Sequence, residues 1–177
     1  IIVVQGDKET LCPSIPCMPN QRVIKSYGDS LERAILLGFS SAGGDRICVC
    51  DADGSHPIHQ IPQMFQMLDK YDMVVGSRFI DGAEFDQTPF RKFVSKCFIW
   101  WAHIFGSHLS DPMSGFFGIR REILNKVSFT PFTWKTALEI ELKANPSVIE
   151  IPIRFHKREA GLSKASAMTG LRIAWDL

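Results

Sequence analysis

No apolar run in this sequence approaches the roughly 18 residues that a membrane-crossing helix needs, so no spanning segment is expected within it. It shows no signal-peptide pattern of basic, apolar and small-residue regions. It lacks net charge as well: 20 Lys+Arg against 19 Asp+Glu leave +1, which gives no electrostatic sign of a nucleic-acid partner. The five cysteines, Cys12, Cys17, Cys48, Cys50 and Cys97, are odd in number and lack the paired spacing of a zinc site, so buried free thiols in a reducing compartment are expected. Internal repeats and low-complexity tracts are missing, and residues 1–177 read as a single domain.

The 45% hydrophobic and 22% charged residues are ordinary globular proportions, enough to bury one core. The near-zero charge hides an asymmetry. Residues 1–87 carry 7 Lys+Arg against 12 Asp+Glu, net −5, and residues 88–177 carry 13 against 7, net +6. An acidic first half suits a cation and a basic second half suits phosphate.

Short β-branched runs, "IIVV" and "DMVVGSR", read as strands buried on both faces, while "RVIK" and "RICVC" read as further strands. Apolar residues from Asp29 to Ala42 recur at helical spacing before Gly43 and Gly44, and Pro57 is placed to open a helix through Tyr71, with Pro62 restricting its first turns. Strands alternating with helices predict an α/β, Rossmann-like, mostly parallel sheet with flanking helices. Ligands of such sheets bind at the carboxyl ends of the strands.

"DADGSHP" falls at one such end. Side chains two apart on a strand share a face, so Asp51 and Asp53 point together. Two adjacent carboxylates repel, and a divalent cation relieves that repulsion; a capping or turn-forming aspartate is the plainer reading. An EF-hand loop needs Gly and Glu where this chain has His56 and Pro62, and is excluded. A haloacid-dehalogenase-type phosphatase and a nucleotide-sugar glycosyltransferase both remain open on this motif alone.

"DADGSHP", "DMVVGSRF", "DPMSGFFGIRREIL" and "IEIPIRFHKREAGLSK", in that order and spacing, resemble the polyprenyl-phosphate glycosyltransferases of glycosyltransferase family 2, the dolichol-phosphate mannose synthases among them. The resemblance covers about residues 21–166. It implies a GT-A-like fold and inverting transfer of a hexose, mannose or glucose, from GDP-mannose or a UDP-sugar to polyprenyl or dolichyl phosphate. It also implies work at the cytoplasmic face of a membrane.

Carried over by residue, the resemblance implies that Asp51 and Asp53 hold Mg²⁺ or Mn²⁺ at the donor diphosphate, with Ser55 at the place of a third ligand. Asp53 and Asp111 stand at catalytic positions. Arg78, Arg91 and Ser95 match the acceptor-phosphate contacts, and Arg158 and Lys164 match a loop that closes on the donor. The phosphate nucleophile is already anionic near neutral pH, so positioning and charge neutralisation outweigh general-base catalysis.

Residues 90–106, where basic residues accompany paired Trp, and 165–177 are expected as membrane-interface helices. Two departures stand out. His156 and Lys157 replace the x-D of the usual F-x-D-R. The first nucleoside-binding strand is missing and "VVQGDKE" stands for the second, with Asp7 as the substitute acid at the donor. The chain begins at Ile1 without an initiator Met, the pattern of a fragment; a complete chain would instead be a catalytically impaired binding module.

Overall fold

The computed structural model describes residues 2–6, 22–26, 31–85, 88–130 and 135–155. Strands β1 (Ile2–Gly6) and β2 (Arg22–Ser26) pair in parallel. Helix α1 (Leu31–Ser41) follows and leads to β3 (Arg46–Val49). A single 3₁₀ turn at Ile58–Gln60 precedes α2 (Ile61–Met67), then β4 (Met73–Ser77), β5 (Glu84–Phe85) and the long α3 (Pro89–Ile104). The remainder is β6 (Phe117–Arg120), α4 (Arg121–Leu124), α5 (Thr136–Ala144), β7 (Val148–Pro152) and β8 (Arg154–Phe155).

Four strands form the central sheet in the order β3-β6-β4-β7. β6 is antiparallel to both β3 and β4, whereas β7 is parallel to β4. β3, β4 and β7 therefore run one way, as the alternation of strands and helices predicts, and β6 returns between them. This brings the loop entering β6 to the same edge as the carboxyl ends of the other three strands. β5 and β8 add a short parallel pair beyond that edge.

Alternation along the strands divides the core. Met73 and Val75 of β4 join Phe39, Ile47, Phe117, Ile119, Ile123 and Ile140 on the face covered by α1, α4 and α5. Val74 points the other way and joins Met64, Leu68, Phe116, Ile151 and Ile153 under α2. Every residue of β4 is buried, as its unalternating apolar sequence requires.

The helix expected from Pro57 is broken into the 3₁₀ turn and α2. Pro62 has no N–H to bond backwards, so the regular helix restarts with proline in its first turn. α3 starts where Thr88 accepts a hydrogen bond from the Arg91 N–H at 3.4 Å. Among the described residues no helix is long and apolar enough to cross a membrane. Cys12 and Cys17 fall outside the described residues; of the other cysteines, Cys48 is half-buried and Cys50 and Cys97 are exposed, against the expectation of burial, and these three are free thiols.

Candidate active site at the carboxyl edge of the sheet

β3 ends at Val49, and the chain leaves the sheet through Cys50 to Ser55. Gly54 takes φ +79°, a left-handed conformation that a side chain would resist, and so turns the loop back on itself. Inside this turn Asp53 Oδ1 accepts hydrogen bonds from the Ser55 N–H at 3.0 Å and the Ser55 hydroxyl at 2.5 Å. Ser55 is fully buried, so its hydroxyl serves to orient the Asp53 carboxylate.

The next residue fixes the other aspartate. His56 is buried, and its Nδ1 accepts the Asp51 backbone N–H at 2.9 Å. Accepting that bond requires an unprotonated Nδ1, which leaves Nε2 as the protonated ring nitrogen of the neutral imidazole. Nε2 lies 3.9 Å from Asp51 Oδ2. The Asp51 side chain stays 35% exposed at the mouth of the loop. Gly115, in the loop entering β6, comes so close that a Cβ there would stand 3.8 Å from both Asp51 carboxylate oxygens.

Arg78 follows the carboxyl end of β4 and meets Asp111 from the same loop. Its Nε–H and Nη2–H donate to Oδ2 and Oδ1 of Asp111 at 2.7 and 2.8 Å, and its backbone N–H donates to Oδ2 at 3.1 Å. Asp111 has 0% exposure. Glu150 of β7 holds this loop in turn, with Oε2 and Oε1 accepting the Ser110 and Asp111 N–H groups at 2.9 and 3.1 Å. The Ser114 hydroxyl donates to the Gly76 carbonyl at 2.6 Å and pins the loop to β4.

The structure thus gathers Asp51, Asp53, Ser55, Arg78 and Asp111 at one sheet edge. Arg91 and Ser95 lie one turn apart on α3, Arg91 exposed and Ser95 half-buried. Asp7, Arg158 and Lys164 fall outside the described residues. Sequence reasoning assigned no role to His56 or Glu150. A cleft of about 460 Å³ opens at the opposite edge of the sheet, lined by Asp45, Arg46, Asp69, Arg120, Arg121 and Glu122. Its guanidinium groups are already engaged: Arg46 by Asp69, Arg120 by the Leu68 carbonyl, Arg121 by the Gly44 carbonyl.

The donor set at Asp51 and Asp53 is all hard oxygen. Among the described residues no group of three or more His, Cys, Asp or Glu could hold a metal ion. Two carboxylates in a partly open loop fit a Mg²⁺- or Mn²⁺-type cation, which keeps waters and takes further ligands from substrate phosphates, and do not fit an all-protein zinc or calcium cage.

The mixed sheet with flanking helices is GT-A-like, and its carboxyl edge carries the paired carboxylates after β3 and the Arg–Asp fork after β4. Crystalline glucosyl-3-phosphoglycerate synthase from Mycobacterium tuberculosis, in complex with Mn²⁺, UDP-glucose and phosphoglyceric acid, shares that fold with a TM-score of 0.62. Identity is 16%, and the match covers 98% of this chain and 65% of that one.

Residues 19–128 match Glycosyl transferase family 2, and the chain belongs to that family. It is 36% identical over 157 residues to a dolichol-phosphate mannosyltransferase of Pyrococcus furiosus, covering 85% of this chain and 45% of that protein. It is 31% identical over 155 residues to the dolichol-phosphate mannosyltransferase of Saccharomyces cerevisiae, covering 81% and 58%. The chain therefore spans about half the length of the curated relatives it matches. Membership in this family displaces the phosphatase reading that the D-x-D motif alone left open.

Proposed function

We propose that this chain carries the catalytic site of a transferase that moves a hexose from a nucleotide sugar to a polyprenyl or dolichyl phosphate with inversion at the anomeric carbon. The observation that carries this reading is the placement of the Asp51–Asp53 loop and Arg78 at one sheet edge, just past the carboxyl ends of β3 and β4. One is the chemistry of a metal-bridged diphosphate, the other that of a positioned phosphate. Its relatives named as dolichol-phosphate mannosyltransferases support the same substrate classes.

Asp51 and Asp53 would hold Mg²⁺ or Mn²⁺, which when bound neutralises charge building on the departing diphosphate. Ser55 keeps the Asp53 carboxylate turned, and His56 keeps the Asp51 backbone in register. Arg78, aimed by Asp111, is set beside the acceptor phosphate, with Arg91 and Ser95 completing that contact from α3. Asp111 acts through Arg78, because both of its oxygens are already committed to that guanidinium. Arg158, Lys164 and Asp7 are assigned to the donor side.

α3 supplies the route to a lipid acceptor. Phe90, Phe93, Cys97, Trp100 and Ile104 are all exposed, and their spacing of three and four residues makes one continuous apolar stripe. Phe90 is 74% and Trp100 68% exposed. Arg91, Lys92 and Lys96 sit among them, the arrangement of a helix lying in the headgroup region of the cytoplasmic leaflet. Residues 165–177, outside the described residues, are assigned a second such contact.

The test is calorimetric binding of GDP and UDP to the full-length protein, with and without Mn²⁺, using Asp53→Ala as control. Binding that needs Mn²⁺ and vanishes in the variant is expected, and the preferred base separates GDP-mannose from a UDP-sugar as donor. Failure of both nucleotides to bind would overturn the donor assignment and leave an impaired binding module.

A further inference from the structure

One aromatic ring touches both halves of the site. Phe155, the last residue of β8, lies edge-on to the His56 imidazole, with centroids 5.6 Å apart and planes at 63°. The same ring has the Arg78 guanidinium carbon 5.4 Å from its centroid. His56 is held from behind by Phe116, centroids 5.3 Å apart and planes at 31°, and Phe116 is completely buried. Phe79 stands under the same guanidinium at 5.5 Å.

Phe155 thus touches both the imidazole that receives the Asp51 N–H and the guanidinium that Asp111 aims. The aromatic edge and face suit these neighbours differently. A cation is drawn to the π face, and an imidazole packs well edge to face. An aliphatic side chain of similar volume would fill the space but offer neither interaction.

From this geometry we infer that Phe155 is a positioning residue that fixes the donor-side carboxylate loop and the acceptor-side arginine relative to each other. The consequence concerns the reaction coordinate. In-line displacement at an anomeric carbon requires the leaving diphosphate and the attacking phosphate to be held at a set separation, and small errors in that separation slow transfer steeply. β8 also leads directly into the segment bearing Arg158 and Lys164, so the same ring ties that segment's root to both anchors. The inference rests on the function proposed above only for the identity of the two substrates.

The experiment compares Phe155→Leu with Phe155→Tyr in the full-length protein by two independent readouts. Without metal or nucleotide, NMR follows the Asp51 amide and the Arg78 Nε–H, whose chemical shifts report the His56 bond and the ring over the guanidinium. With Mn²⁺ present, the Kd for GDP or UDP and the KM for a short polyprenyl phosphate are measured. Phe155→Leu is expected to move both resonances and to raise both constants about tenfold, while Phe155→Tyr keeps them within about twofold of the parent.

A Leu variant that moves only one resonance, or raises only one constant, overturns the inference, as does a Tyr variant that fails to restore them. Should Phe155→Leu not fold, Phe155→Met removes the ring with less change of shape and is read by the same measures. If the parent binds neither nucleotide, the proposed function fails while the two resonances still decide whether Phe155 joins the two sides.

Discussion

Asp111 grips Arg78 at three points, receiving Nε–H and Nη2–H as a fork and the backbone N–H beside it, at 2.7, 2.8 and 3.1 Å. A carboxylate with 0% exposure is tolerable only with such partners, since an unpaired buried charge is strongly destabilising. Asp111→Asn sets an amide against the guanidinium donors and breaks one arm of the fork. It is expected to cost about 3 kcal/mol in urea unfolding, and to raise the acceptor-phosphate KM while leaving Mn²⁺-dependent nucleotide binding nearly unchanged. A variant as stable as the parent would show that the fork contributes little to the fold.

Glu150 stands one step further back, with its two oxygens on the Ser110 and Asp111 amides. Gln in its place accepts with one oxygen and turns its NH₂ toward the other N–H. The loss is expected to be about 1–2 kcal/mol. Because the displaced loop carries Asp111, transfer should also become more sensitive to acceptor concentration. Steady-state kinetics with the acceptor varied would reveal this as a higher KM with kcat changed less.

How much of this could be read from the residues alone depends on distance along the chain. The position of Asp51 and Asp53 just past the end of a strand was legible in the apolar run before them, while their assigned role came from the family resemblance. Arg78 was singled out by the family resemblance that "DMVVGSRF" carries, not by its spacing. The Arg78–Asp111 fork was not legible, because it joins residues 33 positions apart. It forms only because β6 runs antiparallel between β3 and β4, and no local periodicity encodes that insertion. His56 was not legible because no side-chain pattern marks it: the ring's partner is the backbone of the residue five positions earlier. In α3, apolar periodicity alone fits burial or exposure equally, and only the packed sheet shows that Phe90, Phe93 and Trp100 face outward.

Gly76 shows how tightly this edge is packed. A Cβ there would fall 2.6 Å from Phe116 Cδ1 and 2.9 Å from Ile153 Cγ2, both on buried side chains. Phe116 cannot move freely, since its other side supports His56. Gly76→Ala is therefore expected to destabilise the protein by about 1–3 kcal/mol and to weaken Mn²⁺-dependent nucleotide binding through the displaced imidazole. Thermal unfolding with and without Mn²⁺ and nucleotide separates the two effects: the ligand-induced rise in Tm should shrink along with the baseline Tm.

On the far face of the sheet, Glu32 of α1 is buried with neither carboxylate oxygen hydrogen-bonded among the described residues. Burial first, and the nearby Glu139 carboxylate second, push its pKa up to about 7. The folded protein thus holds this proton more tightly than the unfolded chain, whose value lies near the ordinary 4.5. Stability contributed by the protonated form is present below about pH 4.5, declines as pH rises toward 7, and is lost above it. Glu32→Gln cannot ionise, so its stability relative to the parent should improve from pH 4.5 to pH 8, by on the order of 2–3 kcal/mol. Urea unfolding of both proteins across that range tests it. A difference that stays constant with pH would mean that Glu32 finds a partner for its charge in the folded chain.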